Sequence, residues 1–448
     1  MKQITFSTKT LGCRVNQAET DQLTNKLITL GYQPIQDKQL PDIIIINTCV
    51  VTQKGERESA KTIRHLKRKF PSSFFIITGC AANLWLNTQQ QNKNQLPSDS
   101  LFITNEKKHT IPKIIAKHLS LFWPNSKSGK DKNENLAFSK PKPGFRSFVK
   151  IQDGCNHFCS YCIVPYLRTR LVSQKPEKII EEINQLVKKE VKEVVLSGIN
   201  LSLYGQNQTS SNLLNQLIKK ILKETNIARL SLSSLSPELI NQELIKIFAQ
   251  DQAKNQRLST YLHLALQSAS PTVLERMKRT TNLKKLKKSL QSIKEIIPDI
   301  NFRADIMVGF PGETKLEFQE TIKFIKEAEI AFVHLFPYSP RPGTFAEQMI
   351  KQKKWQIVEP SVKKMRREKF VQITDQIKKK KTKNMINKTK NVLVLKKTTT
   401  GWWGLSDNYW PINISSGIYK KDVLGKIVLV KITGRKENGL SADLVGTN

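Results

Sequence analysis

Hydrophobic and polar positions alternate along this chain in a repeating order of short apolar runs and longer stretches at helical spacing. Ile4–Thr8 reads as a strand, and Gln17–Leu30 repeats its apolar residues as one face of a helix. Gly31 follows at the position where a helix ends in a left-handed residue. Asp42–Asn47 contains four consecutive isoleucines, and Phe74–Thr78 is almost as apolar. Continuous apolar runs of this length mark strands covered on both faces. Lys54–Phe70 lies between them with helical periodicity. Strand and helix taking turns in this way predict a parallel sheet over residues 1–122.

A polar stretch without periodicity, 123–144, reads as a linker. The alternation then resumes. Strands are expected at Phe148–Gln152, Glu193–Ser197, Arg229–Ser233, Leu262–Leu266, Phe302–Val308 and Phe332–Phe336, with helices such as Pro176–Glu190 and Leu316–Ala328 between them. Repeated β/α units of this length predict a partial TIM-like barrel, and a basic helix, Pro360–Lys383, extends it to residue 383. From 384 to 448 the rhythm shortens. Asn391–Leu395, Tyr409–Ile414, Lys426–Thr433 and Leu440–Leu444 are strand-like, with Gly-rich turns, and predict a small all-β barrel. The class is α/β with that barrel appended.

Charge adds a partner to this picture. The 448 residues carry a formal charge of +37, distributed through most of the chain and densest at Lys351–Lys383. Such a field attracts polyanions, RNA or DNA phosphate above all, although a Lys-rich genome would raise the charge as well. Trp402, Trp403, Tyr409 and Trp410 in the last region offer rings on which RNA bases stack, and about half of them are expected to fill the small barrel instead. No apolar run approaches the ~20 residues of a membrane span. The first residues lack a signal-type apolar stretch, so a cytoplasmic, membrane-free protein is expected. In that reducing setting the six cysteines are ligands or catalysts sooner than disulfides.

Three of those cysteines stand in one run, Gly154-Cys155-Asn156-His157-Phe158-Cys159-Ser160-Tyr161-Cys162, just after the first barrel strand. A loop with these spacings can wrap three thiolates around an iron–sulfur cube and leave one iron open. Zinc, with His157 as a fourth ligand, is the competing reading. The other three follow strands. Cys13 comes after the first, Cys49 after the second and Cys80 after the third. A parallel sheet would gather all three at its carboxyl edge, where ligands bind, and so predicts a second cluster. Three inert buried thiols are the alternative.

The Cys155–Cys162 run resembles the signature of the radical S-adenosylmethionine superfamily. Further segments make the chain similar to a methylthiotransferase over nearly its whole length: Thr10-Leu11-Gly12-Cys13-Arg14-Val15-Asn16-Gln17-Ala18-Glu19-Thr20, Asn47-Thr48-Cys49-Val50-Val51-Thr52, Cys162-Ile163-Val164-Pro165-Tyr166, Leu266-Gln267-Ser268 and Asp305 through Thr314. The Leu11–Gln17 form is most similar to the branch acting on threonylcarbamoyladenosine in tRNA. Departures from the family pattern fall at Thr169, Gln174 and Ala269.

The resemblance implies a cluster domain at 1–122, a radical core at 145–383 and a TRAM-type β-barrel at 384–448. It implies two 4Fe-4S clusters, on Cys13, Cys49 and Cys80 and on Cys155, Cys159 and Cys162, with two S-adenosylmethionines per turnover. The second trio would pass an electron to the cofactor and yield a deoxyadenosyl radical, while the first would hold the sulfur. Tyr161, Ser197 and Gly198 are implied around the cofactor; Gln267 and Asp305, read at other strand ends, are candidates for its remaining polar groups or equally scaffold polar residues. No side chain is expected as acid or base, because an inert C–H at adenine carbon 2 yields only to cofactor chemistry. Expected partners are tRNA and an electron donor such as flavodoxin or ferredoxin, and the enzyme is expected as a monomer. Isopentenyladenosine in tRNA, an aspartate of a ribosomal protein, and a non-enzymatic metal-containing RNA-binding protein remain as alternatives.

Overall fold

The isoleucine run forms the middle of a five-stranded parallel sheet. In the computed structural model its strands lie in the order Gln33–Pro34, Thr5–Thr10, Ile43–Thr48, Phe74–Gly79 and Leu101–Phe102. The structure describes residues 3–35, 40–89, 96–122, 144–206, 213–415, 422–437 and 439–447. Alternate residues of the central strands face opposite ways, so each strand serves two cores. Ile44, Ile46, Phe75 and Ile77 meet Ile63 and Trp85 on one side. Ile43, Ile45, Ile76 and Phe6 meet Leu23, Leu27, Ile111 and Ile115 on the other. Both faces are therefore apolar, which is why these strands read as continuous hydrophobic runs. The helices are Arg14–Thr29, Gln53–Lys69, Cys80–Thr88 and Ile111–Phe122.

Six further parallel strands make the partial barrel. Arg146–Asp153, Glu193–Gly198 and Arg229–Leu232 pair in that order, with Val172–Ser173 at the edge. Tyr261–Gln267, Asn301–Val308 and Phe332–Pro337 form the second group. Isolated bridges Leu230 to Leu258 and Leu235 to Leu264 join the two. Helices Pro176–Lys188, Leu213–Glu224, Gln242–Lys254, Leu283–Ile296 and Lys315–Glu327 lie between successive strands in the chain. The basic helix Pro360–Lys383 is part of this body, since Phe370 and Ile373 are buried in its core.

The last region is a closed barrel in the order Thr389–Thr398, Gly401–Ser406, Pro411–Ser415, Gly439–Thr447 and Ile427–Lys436. Trp402 and Trp410 fill its interior with Val392, Ile412 and Val430. Tyr409 points instead at the partial barrel and stacks on Tyr261, ring centroids 4.2 Å apart. Its hydroxyl bonds to the fully buried Glu193. Two of the four aromatics thus fill the core, as expected of about half of them, and a third packs against the partial barrel.

The chain forms two compact units. One comprises Met1–Lys142, Asp153–Leu171 and Ser339–Glu347, and the other Pro143–Gln152, Val172–Tyr338 and Gln348–Asn448. The cysteine loop, placed by the sequence reading in the middle region, belongs to the first unit because Ile163 and Leu167 enter the core around Trp85. The linker expected at 123–144 lies, Gly144 apart, outside the described residues. Among the described residues no helix is long and apolar enough to cross a membrane.

Candidate functional site

Cys13, Cys49 and Cys80 stand where three parallel strands end. Cys13 is the residue before helix Arg14–Thr29, and Cys80 opens helix Cys80–Thr88. Gly12, at φ +96°, brings the backbone against Cys49; a Cβ there would lie 2.5 Å from the Cys49 Cβ and 2.6 Å from its sulfur. Gly79, at φ +100°, likewise leaves no room, with Thr48 backbone atoms 2.4 Å from an ideal Cβ. Both glycines thus let the thiol-bearing turns close on one another. Side chains lock the edge. Asn16 donates to the carbonyls of Leu11 and Thr48, both at 2.9 Å, and Asn47 donates to the carbonyl of Asn16 at 3.0 Å. Ser59 accepts from the Cys49 amide at 3.1 Å. Cys49 and Cys80 are buried and Cys13 is exposed. Burial pushes the Cys49 thiol up to about 11, so it needs a cation to become a thiolate near neutrality.

The second trio occupies the loop after strand Arg146–Asp153, and all three of its cysteines are half-buried. The Asp153 carboxylate accepts from the Gly154 amide at 2.8 Å and starts the turn. Gly154 has φ +80°, and a Cβ there would sit 2.0 Å from the Arg170 carbonyl oxygen. Phe158 adopts φ +44°, an uncommon value for a bulky residue, and is exposed beside Tyr166. The Ala346 amide donates to the Ser160 carbonyl at 2.7 Å, which ties segment Ser339–Glu347 to the loop. That segment is held in turn by the buried Arg341, 2.6 Å from Glu56, a carboxylate that also accepts from the Trp85 indole at 2.9 Å.

Arg168 reaches Cys80 of the first trio and Asp153, the residue before the second loop. Its side chain is 1% exposed. Nε donates to the Cys80 sulfur at 3.3 Å, Nη1 to Glu19 at 2.8 Å and to Asp153 at 2.7 Å, and Nη2 to Asn16 and Glu19, each at 3.1 Å. Burial opposes its charge, but Cys80, Glu19 and Asp153 outweigh that and raise its pKa well above the usual value. Lys108 also reaches Glu19, and burial pushes its ammonium down. A single arginine carries no periodic or spacing signal, so nothing in the sequence marks Arg168.

In the second unit, Ser197 is buried and Gly198 follows it at the carboxyl end of its strand. A Cβ on Gly198 would crowd Leu201 and Gln152 at 2.9–3.1 Å. Gln267 ends the strand Tyr261–Gln267 at φ +70°, and its buried carbonyl oxygen has no hydrogen-bond partner among the described residues. Asp305 corrects the expectation. It is the fifth of eight residues in Asn301–Val308, inside the strand and not at its end. It stands 3.0 Å from His263 and 3.1 Å from His334, and accepts from Ser234 at 3.1 Å. Burial pushes its carboxyl up, but the two histidines outweigh this and keep it well below the usual carboxylate range. Tyr161 is half-buried in the cysteine loop of the first unit.

Comparison with known proteins decides what this assembly is. The Radical SAM superfamily matches residues 149–325, and the family described as uncharacterized protein family UPF0004 matches residues 5–102. The threonylcarbamoyladenosine tRNA methylthiotransferase MtaB of Bacillus subtilis is 31% identical, covering 96% of this chain and 93% of its own length. The chain belongs to the radical S-adenosylmethionine methylthiotransferases. The Aquifex aeolicus MtaB is 33% identical over 95% of this chain and 99% of its own. The tRNA-2-methylthio-N(6)-dimethylallyladenosine synthase of Thermodesulfovibrio yellowstonii is 30% identical, with 98% of each chain covered. The fold is shared with the radical S-adenosylmethionine methyltransferase TsrM of Kitasatospora setae, at TM-score 0.54 and 12% identity over 78% of this chain and 76% of that one.

As a member of this family the enzyme uses S-adenosylmethionine and an iron–sulfur cluster, and its residues fit both. Free thiols on two turns, packed so closely that only glycine fits beside them, are the donor chemistry of iron–sulfur sites. Among the described residues no group of three His, Cys, Asp or Glu side chains is arranged to hold a single metal ion. The orphaned Gln267 oxygen is an acceptor in need of a donor, and a bound cofactor would supply one.

Proposed function

We propose that this enzyme adds a methylthio group to carbon 2 of threonylcarbamoyladenosine in the tRNA anticodon loop. Cys155, Cys159 and Cys162 would hold one 4Fe-4S cluster and Cys13, Cys49 and Cys80 a second. The observation that carries the reading is the likeness to threonylcarbamoyladenosine tRNA methylthiotransferases over almost the whole chain, together with Leu11-Gly12-Cys13-Arg14-Val15-Asn16-Gln17 at the edge of the first trio. When bound, the clusters and S-adenosylmethionine supply the electron, the radical and the methyl group. The chain's own work is to bind and orient. Ser197, Gly198 and the Gln267 carbonyl oxygen offer polar groups to the methionyl and ribose parts of the cofactor. Asp305, kept anionic by His263 and His334, fixes the strand behind them. Tyr161 lies within the loop that would carry the first cluster. The charge of +37 supports a polyanionic substrate held through phosphates.

The test is mass spectrometry of tRNA nucleosides after incubation of reconstituted enzyme with dithionite, a sulfur source and S-adenosylmethionine. The 2-methylthio form of threonylcarbamoyladenosine should accumulate, and less of it at high salt. The relatives named for dimethylallyladenosine are 30% identical or nearly so, which makes the isopentenyl substrate the second reading. Ready methylthiolation of that nucleoside, with the threonylcarbamoyl one ignored, would move the enzyme to that branch. Polar contacts to the threonyl carboxylate, which the isopentenyl group cannot make, are the physical basis for discrimination.

A further inference from the structure

One buried guanidinium donates directly to a cysteine sulfur and also holds the carboxylate that starts the second cysteine loop. Arg168 Nε lies 3.3 Å from the Cys80 sulfur, with its side chain 1% exposed. Its other nitrogens are fixed by Glu19, Asn16 and Asp153, so the fork cannot turn away from the thiol. Asn105 adds a second, longer approach to the same sulfur at 3.7 Å. Asp153 is also the residue whose carboxylate starts the Cys155 loop. The surroundings of Cys13 and Cys49 differ. The Ser59 hydroxyl beside Cys49 bonds its backbone amide and carbonyl.

We propose that Arg168 is a positioning residue that raises the reduction potential of the cluster held by Cys13, Cys49 and Cys80, by donating a charge-assisted hydrogen bond to the Cys80 sulfur. The inference rests on the assignment of that second cluster. Its physics is simple. Adding an electron makes a cluster more negative. A fixed cation and an N–H aimed at a ligand sulfur stabilise the reduced form more than the oxidised one. In a buried site that contribution is not screened by solvent. The carboxylates of Glu19 and Asp153 offset part of the charge, but they contact the far nitrogens, and the group facing the sulfur is the donor. The aimed N–H faces the Cys80 sulfur, so the effect is read on the cluster of the first trio.

The experiment uses the full chain with Cys155, Cys159 and Cys162 replaced together by Ala, reconstituted anaerobically so that only the first trio binds iron. Iron and sulfide per chain are measured, and the midpoint potential is read by redox titration followed by electron paramagnetic resonance. In that background Arg168→Lys keeps the charge and loses the aimed N–H. Arg168→Gln with Glu19→Gln removes the donor without stranding a buried carboxylate, in case the single change prevents folding. The expected result is unchanged iron with a lower potential. In the double variant the reduced-to-oxidised ratio at a fixed poise should fall at least tenfold, about 59 mV for a one-electron couple. The lysine variant should fall between it and the parent. Full iron with an unmoved potential in both variants overturns the inference and leaves the cluster assignment standing. If Cys80→Ala in the same background keeps all of its iron, the assignment itself fails and the inference fails with it.

Discussion

Replacing Gly12 by Ala should empty one cluster site and leave the other. At φ +96° an alanine is strained by roughly 1–3 kcal/mol wherever it finds room. Here there is none, because its Cβ would stand 2.5 Å from the Cys49 Cβ and 2.6 Å from the sulfur. Real Cβ atoms essentially never come within 3.0 Å of another heavy atom, so Cys49 or the Gly12 turn must move. Overpacking of this kind costs about 1–3 kcal/mol more. Cys49 has little freedom to yield, since Ser59 bonds both its amide and its carbonyl, at 3.1 Å and 3.0 Å. Together the two terms destabilise the unit by roughly 2–6 kcal/mol, which lowers its Tm by at least about 5 °C. Iron and sulfide per chain after anaerobic reconstitution should drop by about half, because the loop of Cys155–Cys162 is untouched. Differential scanning calorimetry and iron analysis on the same preparations give both numbers. A variant with full iron and an unchanged Tm would show that the close packing at Cys49 has no bearing on the metal.

Other expectations follow from the same geometry. Changing Cys13, Cys49 and Cys80 to Ala, or Cys155, Cys159 and Cys162, should each leave roughly half the iron and sulfide, and loss of all iron from a folded variant would refute two separate sites. Tyr409→Phe should destabilise the second unit by about 1–3 kcal/mol, since it removes a donor from a fully buried Glu193; an unchanged thermal transition would contradict this. Partial burial pushes the Glu317 carboxyl up, but bonds from Arg276, Thr272 and the Thr314 amide outweigh it and hold it at about 2, against a usual 4.5. A depressed carboxylate stabilises fully above its unfolded value and loses this as pH falls through its folded one. Glu317→Gln should therefore lower Tm at pH 7, and the gap to wild type should narrow between pH 4.5 and pH 2.

Both α/β layers were legible because their strands are buried on two faces. Ile43–Ile46 could hardly be anything but a central strand, and strand boundaries moved by only one or two residues from the expected ones. Carboxyl-edge placement of Cys13, Cys49 and Cys80 followed from topology alone. What the sequence hid was tertiary. The helix Val164–Leu167 has four residues, too few to show a period, so nothing announced that Ile163 and Leu167 belong to the core around Trp85. Arg341 and Glu56 are paired across most of the chain's length, with no local mark on either. Gly401–Ser406 does not alternate in hydrophobicity, so the sequence could say that about half of the aromatics are core but not which, and Trp402 and Trp410 are the ones. Asp305 was read at a strand end although its strand, expected to Val308, does run to Val308 and leaves it in the interior.

The second unit divides its labour between the two ends of its strands. Glu193, Arg229, Tyr261 and Asn301 are each the first residue of a strand. These are the residues that meet the C-terminal barrel. Arg229 donates to the carbonyls of Leu405 and Ser406 at 3.1 and 3.2 Å, Asn301 to the Asn408 carbonyl at 3.2 Å, Tyr261 stacks on Tyr409, and Glu193 accepts from its hydroxyl. Asn408 returns a bond to the Asp299 carbonyl at 2.9 Å. The groups suited to the cofactor, Ser197, Gly198 and Gln267, stand at the opposite, carboxyl ends, where α/β barrels place their chemistry. The small barrel therefore caps the amino ends of the strands, opposite Ser197, Gly198 and Gln267. Because it covers Glu193 and Arg229, both almost fully buried, removing it would strand a charged pair in the open. On the barrel wall Lys396 pairs in register with Trp403, a charge and a ring of the kind that suits nucleic acid.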